Sequence, residues 1–224
     1  MHFGYIEGEK CKPEPGKKST CAYCNGELIA HCGTHKIWHW HHKSKISCDG
    51  WWEPETDWHR NWKMLFPREQ QEVIQLDKTT GERHIADIRT DKGYVLELQH
   101  SILKEDELKA REIFYGDALV WIVDGMRLEF DRFNFNFLRK GDWPNFTFGW
   151  YCASKLPHRW TIAQRPVFFD FGCENLFRLE SFDPIGKTGM VKAFTKRRFI
   201  SYCGITPTEE EIKIVLDPIG YRNK

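Results

Sequence analysis

Two cysteines separated by two residues, followed by a run of histidines, constrain the fold of this chain more than any other feature. Cys21 and Cys24 form a C-x2-C pair, and after fourteen intervening residues the chain reaches His39 and His42. The pattern C-x2-C-x14-H-x2-H is close to the spacing of tetrahedral Cys2His2 zinc sites. Four protein ligands leave no position for water, so the spacing predicts a structural Zn2+ ion.

The same segment offers competing ligands. Five of the eight cysteines and six of the ten histidines lie in the first fifty residues. His31, Cys32, His35 and His41 compete with the predicted ligands, and thiols buried as small apolar side chains beside exposed histidines are the alternative without a metal. Turn signals with little periodicity mark residues 1–50, and a segment this small needs a staple. We therefore predict a zinc-binding module over residues 1–50.

The composition limits the class of protein. The chain has 224 residues, with 33 Lys and Arg against 32 Asp and Glu, 41% hydrophobic residues and a mean hydropathy of −0.59. That suits one large domain or two small ones with a buried core, and no run is long enough to cross a bilayer. The first residues lack the apolar run of a secretory signal. We expect a cytoplasmic protein without a membrane partner, whose cysteines are thiols or metal ligands.

Regular secondary structure is predicted between residues 51 and 125. A helix can begin near Pro54 and end near Phe66, because Pro is tolerated in the first turn and Pro67 stops the helix. Three strand-like runs follow, then a helix, then a buried strand. The predicted fold class is therefore α/β. The strands are expected at 72–76, 84–89 and 94–99, the second helix at 104–115 and the last strand at 118–123.

Two adjacent apolar runs each contain one acidic residue, Asp87 and Glu97. A carboxylate within a strand core is costly unless it is paired or binds a cation. On neighbouring strands the two carboxylates could share one hard cation such as Mg2+. Gln99 lies two residues after Glu97, so both side chains point to the same face of the sheet. The alternative is that Asp87 pairs with Arg83 or Arg89 at a sheet edge.

Three polar residues upstream are spaced four residues apart, namely Glu55, His59 and Lys63. On a helix this spacing forms one polar stripe, which could line one side of a shared ligand. A solvated ladder of ion pairs is the alternative interpretation of the same spacing.

Beyond residue 125 the sequence is rich in aromatic residues. Phe130, Phe133, Phe135 and Phe137 partly alternate with polar residues, and short strand-like runs follow. We therefore predict a β-rich segment over residues 126–224.

Two stretches of this segment, 143–169 and 184–208, contain no acidic residue but several basic and aromatic ones. Such stretches could form a face that tracks phosphates, with Lys196, Arg197 and Arg198 as candidate contacts. Nucleic acid, and DNA in particular, is the predicted partner. A solvated surface with ordinary charge scatter is the alternative.

The motifs occur in a definite order. They are Cys21-x2-Cys24 with His39-x2-His42, Glu55-x3-His59-x3-Lys63, Ala86-Asp87, Glu97-Leu98-Gln99 with Ser101, and Arg111-x3-Tyr115 before Val120-Trp121-Ile122. In this order they resemble the CoiA-like competence-protein family, which is regarded as a branch of the PD-(D/E)XK nuclease superfamily with an N-terminal zinc-finger-like module. The resemblance covers roughly residues 20–124. It implies a nuclease core of order α-β-β-β-α-β over residues 51–125.

The resemblance also implies roles for the sheet residues. Asp87 and Glu97 would bind the catalytic metal, and Glu55 would be the helical acid. Gln99 would occupy the place of the superfamily's usual Lys. A neutral amide can donate a hydrogen bond but supplies no positive charge to the reaction, and Lys63 is the candidate to replace it.

The remaining roles implied by the resemblance concern the two helices. His59 would line the site together with Lys63. Arg111 and Tyr115 would orient the site from the second helix and contact the substrate.

These observations predict a nuclease that hydrolyses DNA phosphodiester bonds with Mg2+ or Mn2+. The metal would lower the pKa of a water molecule and neutralise charge on the phosphate. The alternative is a non-catalytic, zinc-containing nucleic-acid-binding protein with a degenerate nuclease core. A third possibility is an interaction module whose exposed Phe and Trp residues dock a protein partner.

Overall fold

The computed structural model describes residues 1–44 and 48–216, and this part of the chain forms an α/β fold, which confirms the predicted class. The strands are β1 Gly4–Ile6, β2 Glu9–Cys11, β3 Lys18–Thr20, β4 Glu27–His31, β5 His39–His42, β6 Gln71–Leu76, β7 Arg83–Arg89, β8 Val95–Gln99, β9 Leu119–Asp124, β10 Asn145–Gly149, β11 Val167–Asp170, β12 Asn175–Asp183 and β13 Thr188–Thr195. The helices are α1 Asp57–Met64, α2 Glu105–Tyr115, α3 Glu129–Leu138, α4 Leu156–Arg159, α5 Lys196–Tyr202 and α6 Glu209–Leu216. Within the described ranges, none of these helices has the length and apolar character of a membrane span.

The strands form two sheets. The N-terminal sheet has five strands in the order β2-β1-β3-β4-β5, and the second has eight in the order β10-β13-β12-β11-β9-β8-β7-β6. In the larger sheet β9 lies parallel to both β8 and β11, whereas the other neighbours are antiparallel. Parallel strands need a crossover connection, and α2 supplies it between β8 and β9.

The elements between residues 57 and 124 follow the predicted order, α1-β6-β7-β8-α2-β9. Thr56 caps α1: its hydroxyl accepts a hydrogen bond from the backbone N–H of His59, and the His59 side chain bonds back to the Thr56 backbone. This reciprocal capping box satisfies two N–H groups that have no partner within the helix. The assignment of this order to the nuclease superfamily stays a prediction.

Successive residues of β9 point to opposite sides of the sheet, and each side has its own apolar core. Trp121 belongs to the core that contains Leu108 of α2. Ile122, the next residue, belongs to the core that contains Trp62 of α1 and Ile200 of α5. Because successive side chains of a strand point to opposite faces, helices cover the eight-stranded sheet on both sides.

The segment after residue 125 does not form a sheet of its own. β11 pairs with β9, and β12, β13 and β10 continue the same sheet outwards. The strand-like interpretation of the four phenylalanines is wrong, because they lie in α3. Phe135 is buried, whereas Phe130, Phe133 and Phe137, spaced three and four residues apart, share an exposed face of the helix.

Glu72 joins the N-terminal sheet to the larger one. Its carboxylate accepts hydrogen bonds from the backbone N–H groups of His2 and Phe3, both at 3.0 Å. The Tyr23 hydroxyl donates to the carbonyl of Arg83 at 2.9 Å. The N-terminal sheet therefore rests on β6 and β7.

Asp170, at the end of β11, connects three elements in the interior. Its Oδ1 lies 2.8 Å from Nζ of Lys196. Its Oδ2 accepts hydrogen bonds from the indole N–H groups of Trp58 at 3.1 Å and Trp62 at 2.9 Å. Lys196 is only 1% exposed, so the prediction that it contacts nucleic acid is wrong. Its charge is used inside the fold, where it holds α5 against β11 and α1.

We expect Lys196→Ala to lower the free energy of unfolding by about 3–5 kcal/mol, because it leaves the buried Asp170 carboxylate without its cation. Urea denaturation followed by tryptophan fluorescence measures the change. The control is Arg197→Ala at the exposed neighbouring position, where loss of a surface ion pair should cost no more than about 1 kcal/mol. Equal losses in the two variants would contradict the role given to the buried pair.

Candidate metal centre and acidic cavity

Four potential metal ligands converge in the N-terminal module. Cys21 Sγ lies 3.6 Å from Cys48 Sγ, and Cys24 Sγ lies 3.2 Å from His42 Nε2. The four ligand atoms all lie within 4.8 Å of one another. Thiolates bound tetrahedrally at about 2.3 Å from zinc are separated by about 3.8 Å. The cluster thus has the donor types and the spacing to bind a zinc ion.

His39 is outside this cluster, which corrects the predicted ligand set. His39 and His42 both lie in β5, and side chains three residues apart in a strand point to opposite faces. An x2 spacing can bring two ligands to one ion from a turn, as it does for Cys21 and Cys24, but not along the extended backbone of β5. The fourth member of the cluster is Cys48, whose only sequence signal was its place among the five N-terminal cysteines.

Asp49 fixes the chain next to Cys48. Its carboxylate accepts hydrogen bonds from the N–H groups of Ile85 at 2.7 Å and Trp51 at 3.0 Å, and it lies 2.8 Å from Nδ1 of His84. Cys48 is thereby anchored to β7. Burial raises the pKa of the Cys48 thiol to about 12. A bound cation would stabilise the thiolate, and metal binding would release the proton.

Asp87 and Glu97 stand directly opposite each other on β7 and β8, as the register pairing Ile88 with Leu96 requires. The Leu98 N–H donates to Asp87 Oδ2 at 3.0 Å, and the Asp87 N–H donates to Glu97 Oε1 at 3.4 Å. Both side chains line one cavity. The sheet thus brings together the two carboxylates that were predicted on neighbouring strands.

Glu97 is held from α2. It is 3% exposed, and its Oε2 lies 2.7 Å from Nη1 of Arg111. Arg111 also donates to the Trp51 carbonyl at 2.7 Å and to Glu107 at 2.5 Å. Burial, together with the negative charge of Asp87, raises the pKa of Glu97 to about 7, although Arg111 opposes that shift.

The Lys63 ammonium lies among three carboxylates. Its Nζ is 2.9 Å from Asp87 Oδ1, 3.1 Å from Glu55 Oε1 and 3.2 Å from Glu72 Oε1. Burial alone would lower the pKa of Lys63, but these three charges raise it well above its ordinary value. Glu55 lies before the first residue of α1, so the stripe predicted for Glu55, His59 and Lys63 is wrong at its first member.

A second network surrounds Glu53, which the sequence analysis missed. Glu53 Oε1 lies 3.0 Å from His59 Nε2, and Oε2 accepts hydrogen bonds from Gln99 Nε2 and the Ser101 N–H, both at 3.2 Å. Burial raises the pKa of Glu53, but the hydrogen bonds from His59 and Ser101 outweigh it and lower the pKa to about 2. No local sequence pattern marks Glu53, because it lies in an irregular segment and its partners come from the distant end of β8.

These networks line a cavity of ≈ 60 Å³. That volume holds an ion with a few waters. Its six carboxylates outnumber the permanently charged side chains that pair with them, namely Lys63 and Arg111 of the lining and Arg60, which lies 3.0 Å from Glu55. The remaining negative charge favours a further cation. The carboxylates are those of Asp49, Glu53, Glu55, Glu72, Asp87 and Glu97.

The other predicted substrate contacts are divided between the interior and the surface. Arg111 lines the cavity, but Tyr115 is buried and is not among the residues that line it. Contact between Tyr115 and a substrate is therefore wrong for this conformation. Arg197 and Arg198 are exposed on α5, where Arg197 Nη2 lies 2.8 Å from Glu209 Oε1.

No family model, curated protein or solved structure matches this chain. The resemblance to the CoiA-like family stays a prediction. The described residues define an α/β protein with a Cys/His cluster and an acidic cavity, and function has to be argued from these two sites.

We expect Cys48→Ser to lose most of the zinc bound to the Cys/His cluster and His39→Ala to keep it, because Cys48 belongs to the cluster and His39 does not. Metal analysis of the purified variants measures the difference. Chelation of the wild type should lower its melting temperature, since metal binding energy is folding energy. Equal zinc content in the cluster of both variants would refute this ligand set.

The low pKa of Glu53 predicts how its contribution to stability varies with pH. Its folded pKa of about 2 lies below the unfolded value of 4.5, so the stabilisation is present above pH 4.5 and is lost as the pH falls towards 2. We expect Glu53→Gln to cost about 1–3 kcal/mol at pH 7, and the difference from wild type to shrink below about pH 4.5. Urea titrations at several pH values measure it. A cost independent of pH would count against the charged network.

Proposed function

We propose that this chain is a divalent-metal-dependent nuclease that hydrolyses DNA phosphodiester bonds, with Mg2+ or Mn2+ in the acidic cavity. The observation that carries the proposal is the pair Asp87 and Glu97, in register on neighbouring strands and lining a cavity with excess negative charge. Carboxylate oxygens are the ligands that these cations prefer. A cation would also favour the charged form of Glu97, whose pKa is raised to about 7.

Asp87 and Glu97 would hold the metal, and the surrounding groups fit that role. The Leu98 N–H fixes Asp87, and Arg111 fixes Glu97, so neither carboxylate must be ordered when a cation binds. When bound, the metal supplies a Lewis acid for the phosphate and lowers the pKa of a water molecule.

Lys63 supplies the positive charge that Gln99 lacks. Its ammonium, 2.9 Å from Asp87, stays protonated near neutral pH because its pKa is raised well above its ordinary value. It can therefore stabilise negative charge that develops on a phosphate at the cavity. The Gln99 amide donates to Glu53 and Ser101 instead, which orients Glu53.

His59 acts as a positioning residue in this proposal. Its Nδ1 lies 2.8 Å from the Thr56 hydroxyl oxygen, and its Nε2 lies 3.0 Å from Glu53 Oε1 and 3.0 Å from the Leu98 carbonyl oxygen. With both ring nitrogens engaged, His59 holds Glu53 against the end of β8. Lys63, on Asp87, and Arg111, on Glu97, are then the positively charged side chains in contact with the carboxylate pair.

The cavity is too small for a nucleotide, so a phosphodiester would meet the site at its mouth. Trp52 lines the cavity and is 54% exposed. An exposed indole next to the site can stack on a base, which favours nucleic acid as the substrate. The Cys/His cluster would hold a structural Zn2+, because its four ligands leave no open position.

A second function is favoured by a different observation. Lys63 and Arg111 already form ion pairs with Asp87 and Glu97, so these carboxylates are compensated without a metal. In a non-catalytic, zinc-containing nucleic-acid-binding protein, the same ion pairs would stabilise the fold and no metal would bind between them. Cleavage assays separate the two functions.

We expect labelled single- or double-stranded DNA to be cleaved with Mg2+ or Mn2+ and to stay intact with EDTA. Asp87→Asn and Glu97→Gln should each lower the rate by about 100-fold or more, since even outer-shell partners of a metal contribute about 10–100-fold. The control is Glu105→Gln, an exposed acid of α2 that pairs with Lys109, and it should keep the wild-type rate.

Retained zinc in each variant shows that the N-terminal module is intact, and an unchanged circular dichroism spectrum shows that the larger sheet is. Intact DNA that is still bound would favour the non-catalytic function. Cleavage that survives both sheet substitutions would refute the assignment of the site.

A further inference from the structure

A group of histidines lies on the N-terminal sheet, on the face opposite the Cys/His cluster. His31 of β4 lies directly opposite His39 of β5, and His41 lies two residues further along β5 on the same face. The His31 ring centroid is 5.4 Å from that of His39 and 4.9 Å from that of His41. His42, which points to the other face, belongs to the Cys/His cluster.

The backbone places these three side chains where they can meet on one ion. Opposite residues of an antiparallel pair have Cβ atoms about 4.5–5.5 Å apart, and diagonal residues about 7–8 Å. The ring planes of His39 and His41 are inclined by 56° and 31° to that of His31, so side-chain rotation is needed to aim the three ring nitrogens at one point. His31 and His41 are exposed, and β5 is the last strand of its sheet. Rotation about their side-chain bonds is therefore not blocked by packing.

His39 is already held as a ligand would be. Its Nδ1 lies 2.8 Å from the carbonyl oxygen of Ile37. A carbonyl oxygen can only accept, so Nδ1 carries the hydrogen, and Nε2 of a neutral ring keeps its lone pair. Metal-binding histidines usually donate their second N–H to such a partner, which fixes the tautomer and the ring orientation.

We propose that His31, His39 and His41 form a second metal site, which binds a divalent transition metal such as Zn2+, Ni2+ or Co2+. Imidazole nitrogens suit these ions and bind Mg2+ poorly. Three histidines leave at least one coordination position to water, unlike the four-ligand cluster on the other face. The ion at this site is therefore exposed to solvent and exchangeable.

The test is a Co2+ titration of the full chain with one zinc in the Cys/His cluster and with excess Mg2+ to occupy oxygen sites. We expect one further equivalent to bind without thiolate-to-cobalt charge-transfer absorption, because its ligands are imidazoles. His31→Ala, His39→Ala and His41→Ala should each weaken this binding by about tenfold or more and leave the zinc in place. The control is His158→Ala, an exposed histidine of α4, which should bind cobalt like the wild type.

Zinc retained in the variants shows that the N-terminal module is folded, so a lost second equivalent reports on the site. Absence of a second equivalent in the wild type overturns the proposal. A second equivalent that survives all three substitutions, or that is lost in Asp87→Asn, overturns it as well, because the metal would then be bound elsewhere.

Discussion

The buried ammonium of Lys63 is the contact on which the arrangement of the molecule depends. It lies among three carboxylates, and one of them, Glu72, also receives the backbone N–H groups of His2 and Phe3. Helix α1, strands β6 and β7 and the N-terminal sheet therefore meet at one positive charge. An uncompensated buried charge costs several kcal/mol. Loss of the Lys63 charge would therefore destabilise both the acidic cavity and the docking of the N-terminal sheet.

Local signals predicted the elements between residues 57 and 124 correctly. Strand alternation placed Asp87 and Glu97 within neighbouring strands, and the register sets them opposite each other. The order of helices and strands between residues 57 and 124 follows from local signals, such as Pro67 after the first helix and the turn at Gly93. These signals involve only a few neighbouring residues, so they can be recognised without knowledge of the tertiary contacts.

Predictions that needed contacts distant in sequence failed. Cys48 is positioned through Asp49, whose partner His84 lies 35 residues away, and Glu53 binds Ser101 across 48 residues. Lys196 was predicted to be a surface charge, but it lies buried at the start of α5 and pairs with Asp170 of β11. Two further errors concern local structure. The predicted pairing of His39 with His42 fails because both lie in β5, and the phenylalanines predicted as strand lie in α3.

Cys48 and Asp49 are adjacent in the chain but belong to different sites. Cys48 belongs to the metal cluster, whereas Asp49 lines the acidic cavity and binds β7, the strand that carries Asp87. Consecutive Cα atoms are only about 3.8 Å apart, so a movement of Cys48 also moves Asp49. A displacement of the metal ligands would therefore displace the wall of the acidic cavity, although the two sites share no residue.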